Sequence, residues 1–398
     1  MLPPTVPYKH TADTRCAALV AFQVLEAEGI SVTFLVKKMF GPRLHDALRI
    51  YAAKVTRAMS LAPLNDPSAP NAIVSPFRCG CFGPTAIAIT KLTDEQAGAS
   101  KANADDEAQP TSQVVMLGQR AAIVYEAMYI TVATVESSQM PEILTVFNEV
   151  INDFADGYLA PLKTLSADRS LTSTKAEEWI AAISDTRWIG EDLLQRLQAH
   201  LVQIYNRPIK ALEQEIEQFK SERANLVLVF AKALAAKALG TMNWGSSNYS
   251  ARDLGATCEP QKCFEDALVM LAATRSKMLR SSVPQVHVKA FMAELMHEVS
   301  VVMSASPLGG QAETELGYGG LQQLVLNVKT LVAATTVYLS PAAQKNLLEG
   351  VIEKAVALFK ENQKVGKDGA LQADDWFQKK VNSKLVQLKK QLGDFSSG

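Results

Sequence analysis

Between Pro208 and Gly240 the apolar residues recur at three- and four-residue intervals. Ile209, Leu212, Ile216 and Phe219 lie on one stripe of a 3.6-residue helix, which widens to Leu226, Val227, Phe230 and Leu234. Arg223 interrupts the heptad phase, so the pattern predicts a long packing helix rather than an unbroken coiled coil. Pro208 suits the first turn and Gly240 the stop. This period runs through most of the chain, and no apolar/polar alternation of useful length is found. The fold class expected is therefore all-α, an elongated stack of antiparallel helical bundles.

Further helices are expected over 113–135, 139–164, 175–184, 186–206, 263–281, 284–304, 320–338, 341–362 and 374–392. Residues 31–60 carry a helical pattern interrupted near Gly41–Pro42. Leu321, Leu324, Val325, Val328, Leu331 and Val332 form one face. Leu347, Leu348, Val351, Ile352, Ala355, Leu358 and Phe359 form the next, entered through Ser340 as cap and Pro341. The last face is Phe377, Val381, Leu385, Leu388 and Leu392, with Asp374 as its cap and Gly393 at its end. The segments divide as 1–112, 113–262 and 263–398. The first contains a Pro/Gly-rich part at 61–90 and an acidic stretch at 92–112 without large apolar groups. Burial cannot offset the ordering entropy of that stretch, so it is expected to be a disordered insert.

Charge and cysteine content exclude several classes. Forty Lys and Arg stand against 41 Asp and Glu, whereas a dedicated nucleic-acid binder carries a basic excess. Five cysteines in 398 residues do not make a disulfide scaffold. The start of the chain has no apolar signal-peptide core. The most apolar stretch, Leu226–Leu239, carries Lys232 and Lys237 and reads as too short to span a bilayer. A reducing, cytoplasmic setting fits, with any membrane contact peripheral.

Catalytic motifs are weak. Gly317, Gly319 and Gly320 fail the dinucleotide pattern and read as a turn before a helix. Cys79-x-Cys81 and Cys258-x4-Cys263 lack zinc-site spacing, and plain reduced thiols explain them better. Glu294 and His297 give one E-x-x-H, where a di-iron bundle needs two. Asp374–Asp375 lacks a metal-binding D-D-x-x-[DE] spacing. No catalytic, cofactor or metal residue is assigned, and neither a small-molecule substrate nor nucleic acid is expected. The basic last helix (Lys379, Lys380, Lys384, Lys389, Lys390) reads as a solvated bundle face more readily than as a lipid contact.

The C-terminal third carries a set of residues in order: Gly320-Leu321-Gln322-Gln323-Leu324, Lys329, Tyr338-Leu339-Ser340 and Asp375-Trp376-Phe377. This set resembles the end of the exocyst complex subunit of the Exo-eighty-four family, closest in feel to its plant and algal forms. Asn327 stands where that family's pattern has an acidic residue. Ala47–Tyr51 resembles the start of the family's helical region, and 140–206, with Trp188-Ile189 to Leu194, its middle. The resemblance implies a rod of stacked helical bundles that acts without catalysis or cofactor. It implies other exocyst subunits as partners and vesicle tethering at the plasma membrane, peripherally through the complex. The family's N-terminal coiled coil and pleckstrin-homology-like domain are not seen, since the chain starts about where the rod would. Trp376 and Phe377 are the expected partner-contact residues, with plain packing as the alternative. Another helical adaptor, and less readily an all-α enzyme, are the competing functions.

Overall fold

The computed structural model describes residues 33–62, 72–74, 90–91, 115–138, 143–167, 173–244, 249, 259–280, 283–308, 316–362 and 372–392. The stretch 92–112, Cys79, Cys81, Cys258 and Gly393 lie outside them. The fold is all-α in class. Its helices are α1 (Thr33–Leu61), α2 (Gln119–Ser138), α3 (Ile143–Ala167), α4 (Ser173–Arg187), α5 (Leu194–Tyr205), α6 (Lys210–Thr241), α7 (Lys262–Arg280), α8 (Gln285–Ala305), α9 (Tyr318–Thr335), α10 (Pro341–Leu347), α11 (Lys354–Asn362) and α12 (Asp374–Leu392). A π-helical turn, Trp188–Leu193, joins α4 to α5, and a second, Leu348–Glu353, joins α10 to α11.

Three short strands, β1 (Ala72–Val74), β2 (Thr90–Lys91) and β3 (Val115–Leu117), form an antiparallel sheet in the order β2-β1-β3. Ile73 pairs with Thr90 on one side and Met116 on the other. These strands are two or three residues long and leave the all-α class standing, but the helix expected from 113 is corrected. β3 occupies its first residues and α2 begins at Gln119. Val115, Met116 and Leu117 are a short apolar run whose period cannot separate strand from helix.

The chain divides into two compact units, Met1–Asp168 with Thr174–Leu226, and Arg169–Ser173 with Val227–Gly398. In the first, α1 packs along α3 and both pack on α2. Leu44, Leu48, Tyr51, Val55 and Met59 of α1 are all buried. That packing carries α1 straight through Pro42, where the sequence suggested a break. An interior proline costs about 3 kcal/mol, which burial of two such side chains offsets. Tyr158 stacks on Phe219 of α6 at 5.7 Å, and Tyr125 meets Trp188 at 5.5 Å.

In the second unit, α8 packs against α7 and α10, and α9 against α7 and α12. The Val227–Thr241 part of α6 joins this core through Phe230, stacked on Phe291 at 5.1 Å. Among the described residues α6 is the one helix long and apolar enough, by length and composition, to cross a membrane; the apolar stretch Leu226–Leu239 is part of it. Its Leu226, Phe230, Leu234 and Ala238 are buried in protein packing. The α10 cap holds as expected, with Ala343 N–H donating to Ser340 Oγ at 3.1 Å.

Candidate functional site

Helix α9 carries most of the C-terminal residue set. Its first turn meets the backbone of Tyr249, whose carbonyl accepts from Gly317 N–H at 3.0 Å. A Cβ at Gly320 would collide with that carbonyl oxygen, so only glycine lets the two backbones approach. The glycine-rich turn is thus a close helix–loop contact.

Amides then fasten α9 to its neighbours. Asn327 is fully buried; its Oδ1 accepts from Gln261 N–H at 2.9 Å and its Nδ2 donates to Gln261 Oε1 at 2.8 Å. Gln323 Nε2 donates to Asn327 Oδ1 at 3.0 Å and to the Glu259 carbonyl at 2.8 Å. Buried Gln322 accepts from Gln372 N–H at 3.4 Å. Burying an amide is costly unless it is hydrogen-bonded; these bonds tie α9 to the segments that lead into α7 and α12, although Gln322 Nε2 stays buried without a partner. Lys329 adds an ion pair to Asp374 at 2.6 Å, which holds that carboxyl below the ordinary aspartate range. Asp374 is therefore the first residue of α12 and a partner of Lys329, rather than its cap.

The two expected contact residues separate. Phe377 is 1% exposed, packed in the core of this unit with Lys329 Nζ 5.4 Å from its ring centre. Trp376 is half-buried, edge-on to Phe377 at 5.0 Å, with Lys380 Nζ 5.9 Å from its ring. Trp376 keeps a face toward solvent, and Phe377 does not. Lys384 is not part of a free basic face, because it pairs with Glu265 at 2.6 Å and Glu259 at 3.7 Å. Lys379 is exposed.

The weaker chemical candidates are dispersed. Glu294 and His297 are half-buried on α8, and Ser300 Oγ donates to the His297 carbonyl at 2.7 Å. Cys263 is half-buried, and burial pushes its thiol up, the reverse of an activated nucleophile. Among the described residues no group of three His, Cys, Asp or Glu is placed to hold a metal ion. An open groove of about 580 Å³ runs between α1 and α3, lined by Ala53, Thr56, Arg57, Ser60, Asp153, Asp156 and Gly157.

Sequence reasoning missed two buried carboxyl groups of the first unit. Asp185 on α4 is pushed up to about 8 by burial, partly offset by the Gly118 N–H it accepts. Glu215 on α6 is pushed up to about 7 by burial, with the Asp156 charge adding. Neither belongs to a motif, and their burial is set by helices distant in sequence.

The fold and this site define a helical protein whose C-terminal residue set is a packing network with one half-exposed tryptophan beside it. Compared with protein-family models, with curated proteins and with solved structures, the chain matches none.

Proposed function

We propose that the chain is a non-catalytic subunit of a vesicle-tethering assembly of the exocyst type. In this reading it supports the docking of secretory vesicles at the plasma membrane through protein–protein contacts. It is cytoplasmic and reaches the plasma membrane or vesicles peripherally, through the complex. It uses no cofactor, and its bundles stack as a rod. The observation that carries the reading is the α9 network. Gly320, Gln322, Gln323 and Lys329, the residues behind the resemblance, all act in one set of contacts around α9. A motif used for packing, rather than for binding a small molecule, is what a scaffold requires, since its work is done on surfaces.

The test is affinity capture of the tagged full chain from its native cell, with mass spectrometry of the eluate. Several exocyst subunits in comparable amounts are expected. Recovery of the bait alone, at salt low enough to keep weak contacts, refutes the tether. A second reading, another helical adaptor, is favoured by Asn327. Its reciprocal amide pair with Gln261 replaces the acidic residue of the exocyst pattern. Capture of a different, defined set of proteins selects that reading.

A further inference from the structure

The core of the first unit holds a polar knot that the tethering role does not use. Asp185, near the end of α4, is 4% exposed, and its Oδ2 accepts from Gly118 N–H at 3.1 Å. Gly118 is the single residue between β3 and α2. Two residues on, Arg120 is 8% exposed and its Nη2 donates to the Ala62 carbonyl, just past the end of α1. Tyr158 of α3 is 1% exposed; its buried hydroxyl makes no hydrogen bond and lies within the electrostatic reach of both Asp185 and Arg120. One cluster thus joins the end of α1, the β3–α2 junction, α3 and α4. Among the described residues Asp185 has no ion-pair partner.

We propose that this knot is a proton-operated latch: protonated Asp185 lets the β3–α2 junction stay packed and dry against α4, and loss of that proton leaves a buried charge that the Gly118 N–H only partly offsets and so opens the junction to water.

The chemistry follows from the surroundings. A neutral carboxyl keeps an acceptor for Gly118 and a donor of its own, and it carries no desolvated charge. A carboxylate there is a buried charge with one backbone donor, an arrangement that relaxes only by opening to water or by finding a cation. The groups that face it are few. Tyr158 comes from α3, and Arg120 from α2 acts through Tyr158. The end of α1 offers only the Ala62 carbonyl, already taken by Arg120. On α4 itself Thr186 is neutral, and Arg187 is turned to Asp192 at 3.1 Å and Glu191 at 3.9 Å. Burial lifts the Asp185 carboxyl to about 8, so the proton leaves just above neutral pH.

Hydrogen exchange read by mass spectrometry tests this on the full chain from pH 6 to 9, after correction for intrinsic exchange rates. The expected result is that protection of the amides around 117–121 falls by up to about tenfold per pH unit as pH rises toward the midpoint, the slope for one proton held only by the closed state, and levels off above it. Helix α9 of the other unit serves as the internal reference and keeps its protection. Asp185→Asn, which preserves the acceptor without the charge, is expected to flatten the slope. The wild-type carboxyl is followed in parallel by carbon-13 NMR, so the result does not hang on how the variant folds. A midpoint below pH 6, protection unchanged from pH 6 to 9, equal loss at α9, or the same slope in Asp185→Asn overturns the latch. So does a rise in protection with pH, which would show Arg120 swinging over to pair with the carboxylate.

Discussion

Single positions in this chain are decided by what stands within a few ångströms of them. Gly320 and Gly240 are both helical glycines, and helix propensity alone ranks alanine above glycine at each by about 1 kcal/mol. Gly240 has nothing within 4 Å of a built Cβ, whereas Gly320 faces the Tyr249 carbonyl. Gly240→Ala is therefore expected to raise the unfolding free energy measured in urea by about 0.5–1 kcal/mol. Gly320→Ala should lower it by about 1–3 kcal/mol or more, because the backbones must separate. Equal effects at the two sites would contradict the close approach. Glu215 gives a pH prediction of definite sign. Its folded value, about 7, lies above that of an unfolded glutamate, so the native state binds the extra proton. Its contribution to stability is complete below about pH 4 and is lost as pH rises through about 7. Glu215→Gln should leave a smaller decline in urea midpoint between pH 5 and 8 than wild type shows. Asn152, with its amide nitrogen turned to Glu215 Oε1 at 3.3 Å, has the same acceptor in the variant. An identical decline in both proteins would mean that Glu215 is ionised in the fold at neutral pH.

At the level of elements, most helices were legible because their apolar spacing is a direct consequence of 3.6 residues per turn. α12 runs over the expected 374–392, and α8 and α7 differ from expectation by a residue at each end. The π turns were not legible, since an inserted residue leaves no mark in composition. Their effect shows in the stripe Ala343, Leu347, Val351, Ala355 and Phe359, all buried at four-residue spacing. On a regular helix such a stripe drifts by about 40° per step. The turn at Leu348–Glu353 takes up roughly one residue of that drift and keeps the stripe on one side. The same turn sets Gly350 against Ser304, where an added Cβ would lie 2.8 Å from the serine Cβ. Leu348 consequently leaves the buried face expected from its spacing and is only half-buried. Leu347→Ala should cost about 2–5 kcal/mol in thermal or urea unfolding. Leu348→Ala should cost clearly less, below about 2 kcal/mol. A reversed order would remove the π turn from the account of this helix. The buried amides of α9 were also hidden, because Gln322 and Asn327 look like surface residues until their partners Gln372 and Gln261 are in place.

For the molecule as a whole, a scaffold role implies that folding and assembly depend on different residues, and α12 offers a place to separate them. Trp376 and Phe377 were read together from sequence as contacts, yet neighbours on a helix point about 100° apart. Phe377 belongs to the buried face that continues through Val381, Leu388 and Leu392. Trp376 is thereby placed on the flank, with Lys380 beside its ring. Phe377→Ala should then cost about 3–5 kcal/mol of stability, and any loss of partners would follow from unfolding. Trp376→Ala removes a partly solvated ring and should leave the melting temperature within a few degrees. If Trp376 anchors a partner, its loss should weaken capture of that partner by at least about tenfold, the scale of a hot-spot residue. The measurement is quantitative affinity capture of wild type and both variants, with circular dichroism confirming equal helix content before each experiment. Trp376→Ala with wild-type melting and wild-type capture would place the docking surface elsewhere on the molecule. Trp376→Ala that melts as early as Phe377→Ala would make the tryptophan a packing residue, leaving α12 a bundle helix without an anchor.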